Sequence, residues 1–250
     1  MFVAMFNVRP TSETGHGRRL VRWAGLLLLV LSTTLWGCAS GPARDPRDPL
    51  EPFNRSMYEF NTKVDEAVVK PVAIVYRDVT PYPVRTAVGN FFGNLSDIWS
   101  TLNTALQLRV EDTVVNVLRV GVNTFFGMGG FLDVASEMNL YRSPADFGQT
   151  LGRWGVPAGP YMVLPVLGPS TLRDTLGRGV ETRGDRVWSV DHIPSRNSLL
   201  GLRLLEERTN LLRASSVLDE AALDKYSFTR EVFLQRRQSI IDSQRNREEE

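Results

Sequence analysis

Two helical patterns in this sequence have the reverse of the proportions expected for the surface helix of a water-soluble protein. Across Glu111–Phe126, Val114, Val115, Val117, Leu118, Val120, Val122, Phe125 and Phe126 take up most of the circumference. Asp112, Asn116, Arg119 and Asn123 recur at steps of 4, 3 and 4 and fall on one narrow stripe. The stretch Val84–Leu108 repeats the arrangement. Val88, Phe91, Phe92, Leu95, Ile98, Trp99, Leu102 and Leu106 are apolar, and Thr86, Asn90, Asn94, Asp97, Thr101 and Thr104 form the stripe. Such helices suit three settings: a core with a thin solvated edge, lipid with the polar residues turned inward, or contact with a partner protein. Asp97 and Arg119 exclude a simple bilayer-spanning segment, and the pattern leaves the three settings open.

The N-terminus bears on the choice. Arg18, Arg19 and Arg22 precede an apolar run from Trp23 to Leu31, and Leu35-Trp36-Gly37-Cys38 follows. A basic region, a short apolar stretch and a small residue before a cut describe a secretory signal over residues 1–37. From Trp23 to Trp36 the run falls short of the roughly 20 residues a membrane span needs. Cys38, the sole cysteine, closes a sequence resembling a bacterial lipobox, although Trp36 is bulkier than usual there. Cys38 is therefore the expected lipidation site, and acyl chains contribute about 0.8 kcal/mol per buried CH₂ toward anchoring. Ala39 and Ser40 follow it where an inner-membrane retention signal would carry Asp, so the lipobox pattern implies the outer membrane. Residues 38–50, with Pro42, Pro46 and Pro49, read as a lipidated N-terminus and tether.

Chemistry is sparsely supplied. One cysteine excludes an intramolecular disulfide framework and any multi-cysteine zinc site. Of the two histidines only His192 lies beyond the signal, and no Gly-x-Ser-x-Gly elbow accompanies it. With 29 basic and 28 acidic side chains the chain has no general electrostatic attraction to nucleic acid. Asp133 and Glu137 read as a solvated face, and Arg236-Arg237 as surface charge. Gly127-Met128-Gly129-Gly130 lacks the Lys-Ser/Thr of a phosphate loop. It reads as a helix terminus, or as a hinge or gate at Gly127, Gly129 and Gly130. Neither catalytic residues, nor a metal site, nor a cofactor is expected.

Beyond the tether the periodicity is helical and punctuated by Gly and Pro. The predicted helices are Asn54–Val68, Val72–Asp78, Val84–Phe92, Leu95–Leu108, Glu111–Phe126, Pro144–Trp154, Ser170–Thr182, Leu199–Arg213 and Ser227–Ser243. Asn54 is the expected N-cap of the first, and Pro71 and Pro83 mark further starts. Tyr161–Gly168 reads as an extended segment or hairpin. The expected organisation is one all-α domain over 51–243 with a short hairpin-like insertion, and a polar tail at 244–250.

The ordered blocks resemble the MlaA/VacJ family of outer-membrane lipoproteins. They begin with Asp48-Pro49-Leu50-Glu51-Pro52-Phe53-Asn54-Arg55 and Phe60-Asn61, then run from Asn123-Thr124-Phe125-Phe126-Gly127-Met128-Gly129-Gly130 through Phe131-Leu132-Asp133-Val134-Ala135. Phe147-Gly148-Gln149-Thr150-Leu151-Gly152, Gly159-Pro160-Tyr161, Leu164-Pro165 and Gly168-Pro169-Ser170-Thr171-Leu172-Arg173-Asp174 come next. Tyr226-Ser227-Phe228 and Gln235-Arg236-Arg237 close the match. The resemblance implies a ring of amphipathic helices lying in the inner leaflet of the outer membrane around a polar channel. Through it mislocalised phospholipids leave the outer leaflet for a soluble periplasmic MlaC-like carrier, beside a trimeric outer-membrane porin. The alternative function is a non-transporting adaptor lipoprotein that docks porin and carrier. On the transport reading, the stripe spacing makes Asn90, Asn94, Asp97, Asn116, Arg119 and Asn123 the expected channel lining, with Arg119 as the phosphate contact.

Overall fold

The computed structural model describes residues 45–246, and these form one compact unit. The signal segment, Cys38, the first part of the tether and residues 247–250 lie outside them. The described chain is mostly helical. Helix α1 (Glu51–Val64) runs through a π-helical turn (Asp65–Val69) into α2 (Lys70–Val79). Then come α3 (Tyr82–Leu106), α4 (Val110–Phe125), the short α5 (Val134–Glu137) and α6 (Phe147–Arg153). A two-stranded antiparallel hairpin, β1 (Tyr161–Leu164) and β2 (Gly168–Thr171), precedes α7 (Leu172–Gly184), α8 (Ile193–Ala221) and α9 (Lys225–Asn246). Among the described residues no helix is long and apolar enough to cross a membrane.

Local chemistry accounts for most boundaries. Pro83 lies in the first turn of α3, where its missing N–H has no cost. Asp133, Asp146 and Thr171 cap α5, α6 and α7 by accepting from the backbone N–H groups of Ser136, Gln149 and Asp174. Pro71 lies in the first turn of α2, which continues directly from the turn before it. The π-helical turn immediately before it widens the backbone and lets the helical run continue through a residue that would otherwise clash with the preceding turn.

Three sequence expectations change. The break between Phe92 and Leu95 does not occur, because α3 is continuous through Gly93. A Cβ there would lie 2.3 Å from a terminal nitrogen of Arg142, so this glycine admits a guanidinium rather than ending a helix. Asn54 is not a cap but a buried residue within α1. Its amide donates to Asp48 (2.8 Å) and to the Tyr161 carbonyl (3.0 Å), while its oxygen accepts from the Val163 N–H (2.9 Å). Asn61, two turns on, repeats this with the Leu164 carbonyl and the Val166 N–H. Two asparagines thus replace a third strand against β1. Finally, residues 45–50 are docked rather than free. Asp48 is fully buried against Tyr226 and Arg230, and the Arg47 carbonyl accepts from the Tyr161 N–H.

The hairpin carries the hydrophobic centre: Tyr161, Val163 and Tyr226, with Met57, Tyr58, Phe233 and Leu234 packed round them. At the C-terminal end Gln244, expected in a free polar tail, is buried against Gln149.

Candidate functional site

Helices α3 and α4 pack side by side with their polar stripes turned toward each other and toward the connecting segment 127–143. On α3 the buried side chains include Asn94, Asp97, Ser100, Asn103 and Thr104, with Phe92 the one large apolar residue among them. On α4 they are Asn116, Arg119 and Asn123. The apolar residues face outward. Val114 and Val117 are half exposed, and Phe125 and Phe126 are 84% and 75% exposed. Two helices with a polar seam and an apolar exterior invert the usual globular arrangement.

Arg119 is the centre of the seam, with no exposed surface. Its guanidinium donates to Asp97 (3.3 Å), to both oxygens of Asp133 (3.0 Å each), to the Ser136 hydroxyl (3.1 Å) and to the Leu140 carbonyl. Asn123 donates to Asp133 and accepts from the Ala135 N–H. Asn116 donates to the Ser143 carbonyl and accepts from its N–H. Asn94 donates to the Thr124 hydroxyl, and Asn90 to the Phe131 carbonyl. Asp97 receives a second guanidinium, Arg142, at 2.9 Å. Two carboxylates and two guanidiniums leave the seam neutral, as a low-dielectric setting requires. Burial drives the Asp97 carboxyl above its ordinary range despite Arg142 and Arg119. For Asp133 burial pulls the same way, but hydrogen bonds from Ser136, Asn123 and Arg119 outweigh it and hold the carboxyl at about 2.

The structure therefore brings the six expected lining residues together and gives Arg119 a different part. Every arm of its guanidinium is engaged inside the protein, so the expected phosphate contact becomes a lock between the two helices and the 127–143 segment. Asp133 is no solvated acid; it is the opposite half of that lock. Arg237, read as surface charge, donates to Asp146 and to Asp174 (2.9 Å). The glycine segment is tightly bonded: Gly129 N–H reaches Thr124, Gly130 N–H reaches Asn123, and Leu132 N–H reaches Gly127. Met128, Gly129 and Gly130 all have positive φ, which reverses the chain and brings Asp133 back to Arg119.

Three cavities lie along α3 and the segment that carries Arg142. The first, about 360 Å³, is walled by Leu95, Ile98, Trp99 and Leu102 of α3 and by Gly184, Asp185, Arg186 and Arg203. The second, about 270 Å³ between α3 and α8, holds Asp97, Arg142, Arg203, Glu206 and Glu207. The third, about 480 Å³, holds Arg109, Arg142, Asp146, Arg236 and Arg237. Ser96 and Arg203 border both the first and the second, and Arg142 and Pro144 both the second and the third. The three form a series from an apolar cleft to an arginine-rich one. Asp97 alone of the six expected lining residues borders any of them. Sequence reasoning missed Arg142, which lies in an irregular segment without periodicity. It also missed Ser100 and Gln107, which continue the α3 stripe at helical spacing and were legible there.

Comparison with known proteins follows this geometry. Residues 46–240 match the family described as MlaA lipoprotein. The chain is 41% identical over 224 residues to the intermembrane phospholipid transport system lipoprotein MlaA of Escherichia coli (strain K12), covering 87% of this chain and 88% of that one. It is 31% identical over 225 residues to the protein of the same description from Haemophilus influenzae, covering 87% and 90%. A solved structure described as the structural basis for maintenance of bacterial outer membrane lipid asymmetry aligns with a TM-score of 0.70 and 35% identity. That alignment covers 79% of this chain and all of the other.

Proposed function

Because the chain belongs to the MlaA lipoprotein family, we propose that it is an outer-membrane lipoprotein that removes phospholipids from the outer leaflet and so maintains lipid asymmetry. The helices lie in the inner leaflet, anchored through acylated Cys38, and pass the lipid to a soluble periplasmic carrier beside a trimeric porin. The task is transfer, with no bond made or broken.

The observation that carries this reading is the inverted construction of α3 and α4 beside a graded series of cavities. Outward Val114, Val117, Phe125 and Phe126 suit hydrocarbon, while the Arg119 guanidinium and the amides of Asn116 and Asn123 find their partners inside, as a leaflet without water demands. A phospholipid entering the bilayer core must keep its charged head group solvated, since burying a bare charge is costly. Arg142, with its side chain 36% exposed and standing between the second and third cavities, replaces water around a phosphate. Of the seam residues, Asp97 borders this route, while Asn90, Asn94, Asn116, Arg119 and Asn123 brace the two helices behind it, and the Gly127–Gly130 turn is the hinge of the segment that carries Arg142.

The test is the amount of phospholipid in the outer leaflet of cells that carry the wild-type chain, Arg142→Gln, or no gene. Arg142→Gln at normal membrane levels should move the leaflet content most of the way toward the deletion. Content equal to wild type would exclude the route through Arg142. A deletion with no effect on asymmetry would leave the docking adaptor as the better reading.

A further inference from the structure

The second cavity carries charges of both signs in an order that fits one kind of head group. Arg142 and Arg203 are its cations. Arg203 donates to Asp185 at 2.8 Å and to Glu207 at 3.1 Å, at the edge shared with the apolar cleft. Of its deep anions, Asp97 is paired with Arg142, and Glu206, 6% exposed, has no ion pair among the described residues. Its two oxygens accept from the Tyr76 phenol and the Asn210 amide, each at 3.1 Å, and both donors are neutral. A carboxylate has about four lone-pair positions, so two remain for a cation. Gly89 contributes here, since a Cβ would come within 3.2 Å of the Glu206 carboxylate. Gly93, one turn on, leaves room for Arg142 in the same way. Two glycines one turn apart on α3 let an acid and a base lie against the same helix inside one cavity.

Resting on the transport reading, we propose that this cavity selects phospholipids whose head group carries a primary ammonium. The phosphate meets Arg142 and Arg203, the ammonium meets Glu206, and one acyl chain lies on Trp99 in the adjoining apolar cleft. An uncharged glycerol head group offers Glu206 no cation. A quaternary ammonium brings the charge without an N–H to donate, and so loses the hydrogen-bonded part of the contact. Trp99 is held for this purpose: its indole N–H donates to the Glu181 carbonyl at 3.1 Å, and its ring packs where any side chain at Gly184 would strike it.

The experiment uses the full chain reconstituted in nanodiscs containing equal amounts of phosphatidylethanolamine, phosphatidylglycerol and phosphatidylcholine, with retained lipid counted after extraction into detergent. The wild-type chain should retain phosphatidylethanolamine about tenfold over each of the others. Glu206→Gln keeps an oxygen to accept from Tyr76, so the fold should survive, and the ratio should fall to about one with total retained lipid little changed. Trp99→Ala should lower all three lipids together and leave the ratio near ten. Equal retention by the wild type, or an unchanged ratio in Glu206→Gln, overturns the head-group assignment and leaves transport standing. A Trp99→Ala chain with full retention overturns the acyl part. Retention of none of the three lipids overturns the transport reading and this inference with it.

Discussion

The α3–α4 seam and the hairpin region are built from the same sequence on opposite plans. Around the hairpin, Tyr161 and Val163 are buried with Tyr226, and Tyr161 meets Tyr226 and Phe233 edge to face at about 6 Å. Polar residues enter there to finish the edges, as Asn54 and Asn61 do. In the seam the polar residues are the interior and the large apolar ones are outside. A hydrophobic centre gains its stability by leaving water; two helices that present valine and phenylalanine outward gain nothing from water and cohere through paired charge and amides. The difference teaches that this fold holds two kinds of interior, one of paired charge and amides between α3 and α4 and one of rings around the hairpin.

The largest expected effect breaks the seam at its centre. Arg119→Leu leaves Asp133 without its guanidinium and the buried Asp97 with Arg142 alone, a loss of about 3–5 kcal/mol. Thermal unfolding in detergent micelles measures it, and a loss under 1 kcal/mol would mean that the lock is not what joins α3, α4 and the 127–143 segment. The hairpin region has its own buried ion pair, Asp48 with Arg230 at 3.0 Å, but there the Tyr226 hydroxyl also serves the carboxylate. The next effect tests the proposed lipid setting of α4. Phe125→Ser with Phe126→Ser should weaken binding to anchor-free vesicles by about 1.5–3 kcal/mol per side chain. Unfolding in micelles should barely move, and equal vesicle binding would place these residues elsewhere than in lipid. Smaller again is Asn54→Ala, which orphans the Val163 N–H and the Tyr161 carbonyl for about 1–3 kcal/mol. Hydrogen exchange should quicken at Val163 while the Asn123-bonded amides of Gly130 and Ala135 stay protected.

These two regions were not equally legible in the sequence. The seam announced itself because Asn90, Asn94, Asp97 on one helix and Asn116, Arg119, Asn123 on the other keep the period of a helix, and that period fixes a face. What faces that stripe was hidden. Asp133, Leu140 and Arg142 come from an irregular segment, so no spacing linked them to Arg119 or Asp97. Hence the sequence suggested an open lining with a free guanidinium, while the fold spends that guanidinium on closure. The same limit affected Asn54. As a short polar residue near a helix start it read as a cap, and only the return of β1, over a hundred positions away, shows the backbone it serves. Gly93 misled for a related reason: a glycine within a helix signals either a break or a close approach, and the group that approaches is distant in sequence.

The smallest expected effect separates the two acids of the seam by pH. Asp133 sits at about 2 when folded, below its ordinary value near 3.8, so its contribution is complete above about pH 4 and disappears as the pH falls through 2. Asp97 has the opposite sign. Its folded carboxyl lies above the ordinary range, so ionising it costs the folded state, and stability from this group falls as the pH rises through that raised value. Together they predict a shallow maximum in melting temperature on the acid side of neutrality, followed by a fall between pH 4 and 2. Asp97→Asn should flatten the neutral side of that maximum and keep the acid fall, whereas Asp133→Asn should remove part of the fall. In the hairpin region Asp45, held at about 2 chiefly by its hydrogen bond from Arg47, adds to the acid fall alone. A neutral limb that survives Asp97→Asn would therefore show that the seam tolerates its central carboxylate as well as the hairpin tolerates its own, and the contrast between an interior of charge and an interior of rings would lose its energetic basis.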